Sequence, residues 1–368
     1  MSHRLKKSFG FVLFPLAVLF GIIVRIRHSL FNSGVLKSVT FDVPIICIGN
    51  ITVGGTGKTP QVEYLLELLS EKFKVAVLSR GYKRKTKGFI EAKKRITPEE
   101  IGDEPYQIRK KFDNIKLAVC EKRVVGVTKL LEKHKNLQAI VLDDAFQHRH
   151  INPGVNILLI DYHRPVFKDY FLPYGNLRDS KSQIKRAQIV IVTKVPHDIK
   201  PIEKRIWINQ LGLFPYQYLF FSSYEYGDLV PVFGRKKKHS DIQFLKDSKA
   251  KVLLLTGIAN PKPLYDYLLS KQIDTQLIKY PDHYNYTLEE IKRIKNKFNE
   301  IKTGKKIIIT TEKDAVKLQQ IKDFPRTLKE KIYYLPIKVN ILDSQKSVFD
   351  KLIVNYVKKG KEINRLNR

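Results

Sequence analysis

The stretch Thr52-Val53-Gly54-Gly55-Thr56-Gly57-Lys58-Thr59 decides how this chain is read. An apolar β-type run, Val43 to Ile48, leads into it, and a helically patterned segment, Pro60 to Leu69, follows. Strand, glycine-rich loop, Lys-Thr and helix in that order make a phosphate-binding loop. Glycines let backbone N–H groups converge on an anion, the helix N-terminus adds partial positive charge, and Lys58 adds a full one. Thr59 then offers its hydroxyl to a Mg²⁺ ion held by the phosphates. Thr52 stands where the usual pattern has its first glycine. The loop requires a nucleoside triphosphate without saying which reaction consumes it.

Outward from the loop, strands alternate with helical stretches. Val75 to Leu78 is a short buried strand ending in Ser79-Arg80-Gly81-Tyr82, and the basic stretch Lys83 to Arg95 reads as a loop or hairpin. Pro98 to Phe112 is patterned as one helix. Further strands are expected at Ala118-Val119, Ala139 to Leu142, Val155 to Ile160 and Ile189 to Val192. This alternation implies βαβ units and a mostly parallel sheet with helices on both faces, the α/β architecture of P-loop NTPases. Ligands of such sheets bind outside the carboxyl ends of the strands. Beyond about Trp207 the pattern restarts as a second, smaller α/β lobe, with a basic turn at residues 234–239 and a last helix from Val348 to Val357. The expected division is 1–30, an N-terminal membrane-associated helix; 31–206, the P-loop domain; 207–345, the second lobe; and 346–368, a C-terminal helix and basic tail.

The chain has 368 residues, 43% of them apolar, enough for two ordinary cores. Its two cysteines, Cys47 and Cys120, form no motif and give no disulfide framework. A formal charge of +32 favours polyanions, namely nucleic acid, an anionic membrane surface or phosphorylated substrates. A solvated lysine-rich surface accounts for much of it equally well. The lysines are spread along the chain and no nucleic-acid-binding signature accompanies them, so nucleic acid is not an expected partner. No obligate protein partner is expected either.

At the N-terminus, Arg4, Lys6 and Lys7 precede an uncharged stretch from Ser8 to Val24, and Arg25, Arg27 and His28 follow it. Seventeen residues span about 25 Å as a helix, slightly short of a bilayer core. No small-residue cleavage site follows Val24. The segment is expected to dip into one leaflet or barely span it, leaving the nucleotide-binding body on the cytosolic side.

Asp143 and Asp144 follow the apolar run Ala139-Ile140-Val141-Leu142, about 80 residues after the loop. A buried strand that delivers a carboxylate to its end can hold the nucleotide's Mg²⁺. Gln147 and His148 add polar groups at the same edge, in either a structural or a catalytic role. Transfer of phosphate to an alcohol needs a group that takes the hydroxyl proton. Asp103 and Glu104 fit that role, and they fit equally as acidic groups complementing a helix N-terminus. Arg80, Arg123 and Arg178 are candidate phosphate clamps, because a guanidinium binds phosphate bidentately. His283, in Pro281-Asp282-His283-Tyr284, is a candidate from the second lobe.

Gly49-Asn50-Ile51-Thr52 through Lys58-Thr59-Pro60 resembles the opening signature of the tetraacyldisaccharide 4'-kinases of lipid A biosynthesis. Ser79-Arg80-Gly81-Tyr82, Gly102-Asp103-Glu104-Pro105, Asp143 to Arg149 and Leu177-Arg178-Asp179 follow in that family's order. Gly257 to Pro261, Asp282-His283 and Thr311-Glu312-Lys313-Asp314-Ala315 continue it to about Leu318. Ala145 is a departure, since the family usually has glycine after the two aspartates.

The resemblance implies an enzyme transferring the γ-phosphate of ATP to the 4'-hydroxyl of an acylated glucosamine disaccharide 1-phosphate. It implies Mg²⁺ as cofactor and anchoring at the cytosolic face of the bacterial inner membrane by the N-terminal helix. It makes Asp103 the general base, assisted by His283. Thr59, Asp143 and Asp144 become metal-binding, with Lys58 and Asp144 acting on the reacting phosphate. Residues Thr52, Val53, Gly54, Gly55, Thr56, Gly57, Lys58 and Thr59 hold the nucleotide. Arg80, Arg123, Gln147, His148 and Arg178 meet the substrate. The rivals are a membrane-associated NTPase that only hydrolyses nucleotide and a nucleic-acid-binding ATPase.

Overall fold

A computed structural model describes residues 10–234, 242–282, 284–302 and 304–366. Contacts divide the chain into two compact units, Met1–Tyr224 with Val339–Arg368 and Glu225–Lys338.

The first unit opens with helix α1 (Gly10–Asn32), then β1 (Ile45–Gly49), α2 (Lys58–Leu69), β2 (Val75–Ser79) and β3 (Ile90–Glu91). Next come α3 (Pro98–Ile101), α4 (Asp103–Lys111), β4 (Lys116–Val119), α5 (Arg123–Lys133), β5 (Ala139–Leu142) and β6 (Val155–Asp161). Strand β7 (Ile189–Thr193), α6 (Pro201–Leu211) and β8 (Tyr218–Tyr226) follow. Among the described residues the sheet has the order β14-β8-β7-β6-β1-β5-β2-β4-β3, where β14 is Ile337–Ile341. The pairings from β8 to β4 are parallel, and β3 joins the edge antiparallel. A parallel sheet must be covered on both faces, and β1 shows how. Ile45 and Cys47 belong to one core cluster with α5 and α6, and Ile46 and Ile48 to another with α2, α4 and the C-terminal helix. The mostly parallel α/β architecture expected from the sequence is the one observed.

The second unit contains β9 (Val230–Pro231), α7 (Ile242–Asp247), β10 (Lys251–Thr256), α8 (Lys262–Ser270), β11 (Thr275–Lys279) and α9 (Leu288–Glu300). Strand β12 (Lys306–Thr311), α10 (Glu312–Leu318), α11 (Arg326–Lys329) and β13 (Ile332–Leu335) complete it. Its sheet runs β11-β10-β12-β13-β9, parallel except for β9. The last helix, α12 (Lys346–Leu366), returns to the first unit, where Phe349, Ile353 and Val357 are fully buried. Most of the basic turn at 234–239 lies outside the described residues.

One local expectation is corrected. The single helix over Pro98 to Phe112 is two, broken at Gly102 with φ +91°. A Cβ there would stand 2.8 Å from the Tyr82 carbonyl oxygen, so only glycine makes this turn without strain. The break starts α4 afresh at Asp103 and places that carboxylate in a first turn. The N-terminal helix expected over residues 1–30 is observed from Gly10, and α1 carries Arg25, Arg27 and His28 on to Asn32. At 23 residues α1 is about 34 Å long, and its last turns are fixed to the protein body by the contacts given below.

Candidate functional site at the carboxyl ends of the parallel strands

The phosphate-binding loop leaves β1 and enters α2 through two left-handed glycines, Gly54 (φ +88°) and Gly57 (φ +90°). A Cβ on Gly57 would lie 2.3 Å from the Tyr224 hydroxyl, so chain direction and packing both demand glycine. Lys58 opens α2, and its Nζ lies 3.7 Å from Asp144 and 3.5 Å from Asn50 Oδ1. Asn50 is fully buried and also donates to the Thr52 carbonyl at 2.8 Å. Thr59 follows in the first turn, half-buried.

The acidic pair sits one step beyond β5. Asp143 N–H bonds to Leu78 O at 3.0 Å, which sets it between the ends of β1 and β2. Its side chain is buried, with one carboxylate oxygen accepting from Ser79 Oγ at 2.9 Å and the other, Oδ1, buried with no hydrogen-bond partner. Burial, Glu104 and Asp144 together push its carboxyl up to about 6. Asp144 turns the chain in the left-handed region (φ +46°), which Asp tolerates. Burial acts to raise its pKa, but Lys58 and Arg178 overcome that and hold it near about 2. Arg178 donates to both Asp144 oxygens and to Asn50 Oδ1.

The other predicted residues fall around this centre in different ways. Arg123 begins α5 and is 2% exposed, with its guanidinium on the carbonyls of Cys120 and Asp143 at 2.6 and 3.2 Å. It is therefore a buried counter-charge behind the acidic pair. Arg80 is exposed at the end of β2. Gln147 donates to the Asn50 carbonyl. His148 is pushed down to about 4 by burial first, then by Arg123 and Arg80, so it stays neutral. Asp103 and Glu104 share the first turn of α4, and Glu104 is close enough to raise Asp143. His283 lies outside the described residues.

Several residues missed in the sequence hold the loop. Asp161, at the end of β6, is 2% exposed and pairs with Arg164 at 3.2 Å and Lys194 at 2.7 Å. Arg164 in turn donates to the carbonyls of Val53 (3.0 Å) and Gly55 (3.3 Å), and Lys194 Nζ also donates to Gly55 O. Lys194 is itself left-handed, with φ +59°. The signal was present: Asp161 closes an apolar strand just as Asp143 does, and Lys194 follows the next one.

Leu177-Arg178-Asp179 joins three parts of the unit. Leu177 bridges Thr52, Arg178 reaches Asp144, and buried Asp179 meets His28 of α1. Arg149 bonds to the His28 ring and carbonyl at 3.1 and 3.0 Å, and Arg27 donates to the Gln147 carbonyl at 2.8 Å. The base of α1 is thus tied to the rim of the site. Further along, Gly21 packs on the Phe171 ring, while Phe11 (79% exposed), Leu19 and Ile23 face outward. Alone among the described helices, α1 is long and apolar enough to cross a membrane.

In the second unit a buried acid joins two of the sequence motifs, Gly257 to Pro261 and Thr311 to Ala315. Asp314 is fully buried, accepts from Gly257 N–H at 2.9 Å and Thr311 Oγ1 at 2.6 Å, and so ties the ends of β10 and β12. Lys317 donates to the Tyr284 carbonyl at 3.0 Å.

Comparisons with known proteins agree on one family. The profile described as Tetraacyldisaccharide-1-P 4'-kinase (LpxK) matches residues 9–358. A tetraacyldisaccharide 4'-kinase of Bacteroides fragilis (strain YCH46) is 47% identical over 354 residues, covering 95% of this chain and 93% of that protein. One from Flavobacterium johnsoniae is 44% identical, covering 95% of this chain and 98% of that protein. The crystal structure of "apo" form LpxK from Aquifex aeolicus in complex with ATP superposes with a TM-score of 0.72 at 29% identity, covering 96% of this chain and 99% of that one. On a match of this length and identity, the chain belongs to the tetraacyldisaccharide-1-P 4'-kinase family of enzymes.

Proposed function

We propose that this chain carries out its family's reaction, transfer of the γ-phosphate of ATP to the 4'-hydroxyl of a tetraacyl glucosamine disaccharide 1-phosphate, at the strand ends just described. The observation that carries this is Asp144, set between Lys58 of the loop and Arg178 of the segment that also grips α1. A nucleotide held by a lipid-anchored kinase needs that adjacency.

Loop N–H groups and Lys58 hold the β- and γ-phosphates, in exchange for the contacts Lys58 makes with Asp144 and Asn50. Arg164 and Lys194 keep the loop carbonyls turned away from the anion. The unpartnered Asp143 oxygen, the Asp144 carboxylate and the Thr59 hydroxyl suit a hard cation that keeps waters and phosphate oxygens as its other ligands. A Mg²⁺ ion held by Asp143, Asp144 and Thr59 would supply charge neutralisation to the phosphates. Asp103 takes the proton of the 4'-hydroxyl as that oxygen bonds to the γ-phosphorus and the bond to the β–γ bridging oxygen breaks, with His283 assisting. Arg178, with exposed Arg80, clamps anionic oxygens, and Arg123 supplies field from behind. Neutral His148 and Gln147 line the acceptor side.

The exposed apolar residues of α1 support a seat at the cytosolic face of the inner membrane in this reading, where donor and lipid acceptor are both within reach. In this reading the P-loop unit is the kinase domain, and the second unit, Glu225–Lys338, carries His283.

Radiolabelled ATP with purified acyl-disaccharide monophosphate tests the reading. Label in the lipid is expected, and label appearing only as free phosphate overturns it. Asp103→Ala should lower transfer by about 10²–10⁴-fold with ATP binding retained. Near-normal turnover in that variant would remove Asp103 from the role of base.

A further inference from the structure

The uncharged stretch of the N-terminal helix, Ser8 to Val24, covers about 25 Å as a helix, less than the roughly 30 Å hydrocarbon core. Beyond it, Arg27 and His28 fix the end of α1 to the body. A short uncharged stretch bolted down at its base favours contact of the body itself with the lipid surface. The face next to that base has the composition such a contact needs.

Residues 166–186 run beneath both features. Phe171 packs on Gly21 and Phe20 of α1, and Asp179 on His28, while Phe167 packs edge-on against Trp207 of α6 at 5.2 Å. On the α6 side the surface is apolar. Ile202, Ile206, Ile208, Phe214 and Tyr216 are all exposed, from 50% at Phe214 to 58% at Ile202. Phe214 and Tyr216 stack at 5.6 Å, and Tyr216 anchors its hydroxyl on the Lys185 carbonyl at 2.8 Å. Behind them a pocket of about 330 Å³ opens between Phe167, Ile184, Leu211 and Phe214. Its rim carries the exposed cations Lys181 and Lys185, and Arg205 is exposed on α6 itself. The nearby Glu203 carboxylate is bound to Tyr162 Oη and Lys200 N–H.

We propose that α6 and the segment through Tyr216 form a second membrane-docking element, which lies on an anionic bilayer beside α1. Isoleucines and the Phe214–Tyr216 pair enter the interfacial layer, where aromatic rings with polar tips are favoured. Lys181, Lys185 and Arg205 meet lipid phosphates. Two weak attachments hold a protein where one is reversible, and two fix its orientation, which a single helix leaves free to swivel. This rests on the reading of α1 as membrane-inserted.

The full-length chain carries its own control, since Cys47 and Cys120 are both buried and leave introduced cysteines to take a label. A polarity-sensitive fluorophore is placed at Tyr216→Cys or at Phe11→Cys and mixed with phosphatidylglycerol/phosphatidylethanolamine vesicles. Both labels should shift to the blue and be quenched by brominated lipid. Ile202→Glu with Ile206→Glu, both at exposed positions, should lower vesicle partitioning by about tenfold with thermal stability and activity on detergent-dispersed substrate unchanged. A silent label at 216 with a responding label at 11 overturns the second element and leaves the α1 reading standing. Silence at both positions overturns the membrane reading itself. A blue shift at 216 without vesicles, rising with protein concentration, assigns the face to a second copy of the chain and equally overturns the proposal.

Discussion

Asp144 and Asp314 both follow the end of a buried parallel strand, one in each unit, and they do opposite things. Asp314 is fully buried, and its bonds run to a backbone N–H and to the hydroxyl that caps its own helix. No cation pairs with it among the described residues. Asp144 is partly open and faces Lys58 and Arg178, two cations able to trade a carboxylate for phosphate. The first arrangement has nothing to exchange and serves as glue. The second is held by cationic side chains, including Arg178 hydrogen bonds, which suits a site that must rearrange around an anion.

Exchanging the acids' side chains sharpens this contrast. Asp144→Asn should lower phosphate transfer by about 10²–10³-fold, with the melting temperature nearly unchanged. A large melting shift with modest loss of turnover would make Asp144 structural and erase the distinction. Asp314→Asn should do the reverse and destabilise by about 2–3 kcal/mol, because two buried donors lose their carboxylate-oxygen partner. Denaturant unfolding reads it, with ATP affinity expected to hold.

Asp161 tests an intermediate case, a buried acid whose two cations grip the phosphate-binding loop. Asp161→Asn should raise the KM for ATP by about tenfold, roughly 1.4 kcal/mol, while kcat moves less. A fall in kcat at constant KM would show that the cluster does not act on nucleotide binding. Its carboxyl is shifted down because Lys194 and Arg164 outweigh burial. The stability it contributes is therefore present above the ordinary carboxylate range and is lost as pH falls through its lowered value.

His148 gives the smallest effect. Its folded pKa, about 4, lies below the unfolded value near 6.5, so the unfolded chain takes the proton first. Stability is full above pH 6.5 and declines toward pH 4, by about 1 kcal/mol at pH 5.5. His148→Gln should remove that part of the acid sensitivity in melts at pH 7.5 and 5.5. Equal slopes for the two proteins would mean His148 is solvated and charged.

Much of this was legible locally. The strand–loop–helix at Thr52 to Thr59, the acids after Leu142 and the apolar N-terminus are contiguous patterns, and each is observed as an element or a turn of the expected kind. The single helix over Pro98 to Phe112 was misread because helical spacing continues through Gly102, and only the approach of the Tyr82 carbonyl makes the break. Arginines were the hardest to sort. Sequence spacing treats Arg80, Arg123 and Arg178 alike, yet one is exposed, one is buried behind the acids, and one grips Asp144.

The sequence by itself determined the donor chemistry and the parallel α/β architecture, because glycine conformations, strand apolarity and a helix start are set within about ten residues of chain. Only the tertiary structure decided which charges meet. Arg164 and Lys194, both paired with Asp161, reach the carbonyls of Val53 and Gly55, and His28 reaches Asp179 across 151 positions. Such pairs depend on the order in which parallel strands lie side by side, and no local pattern in the chain records that order.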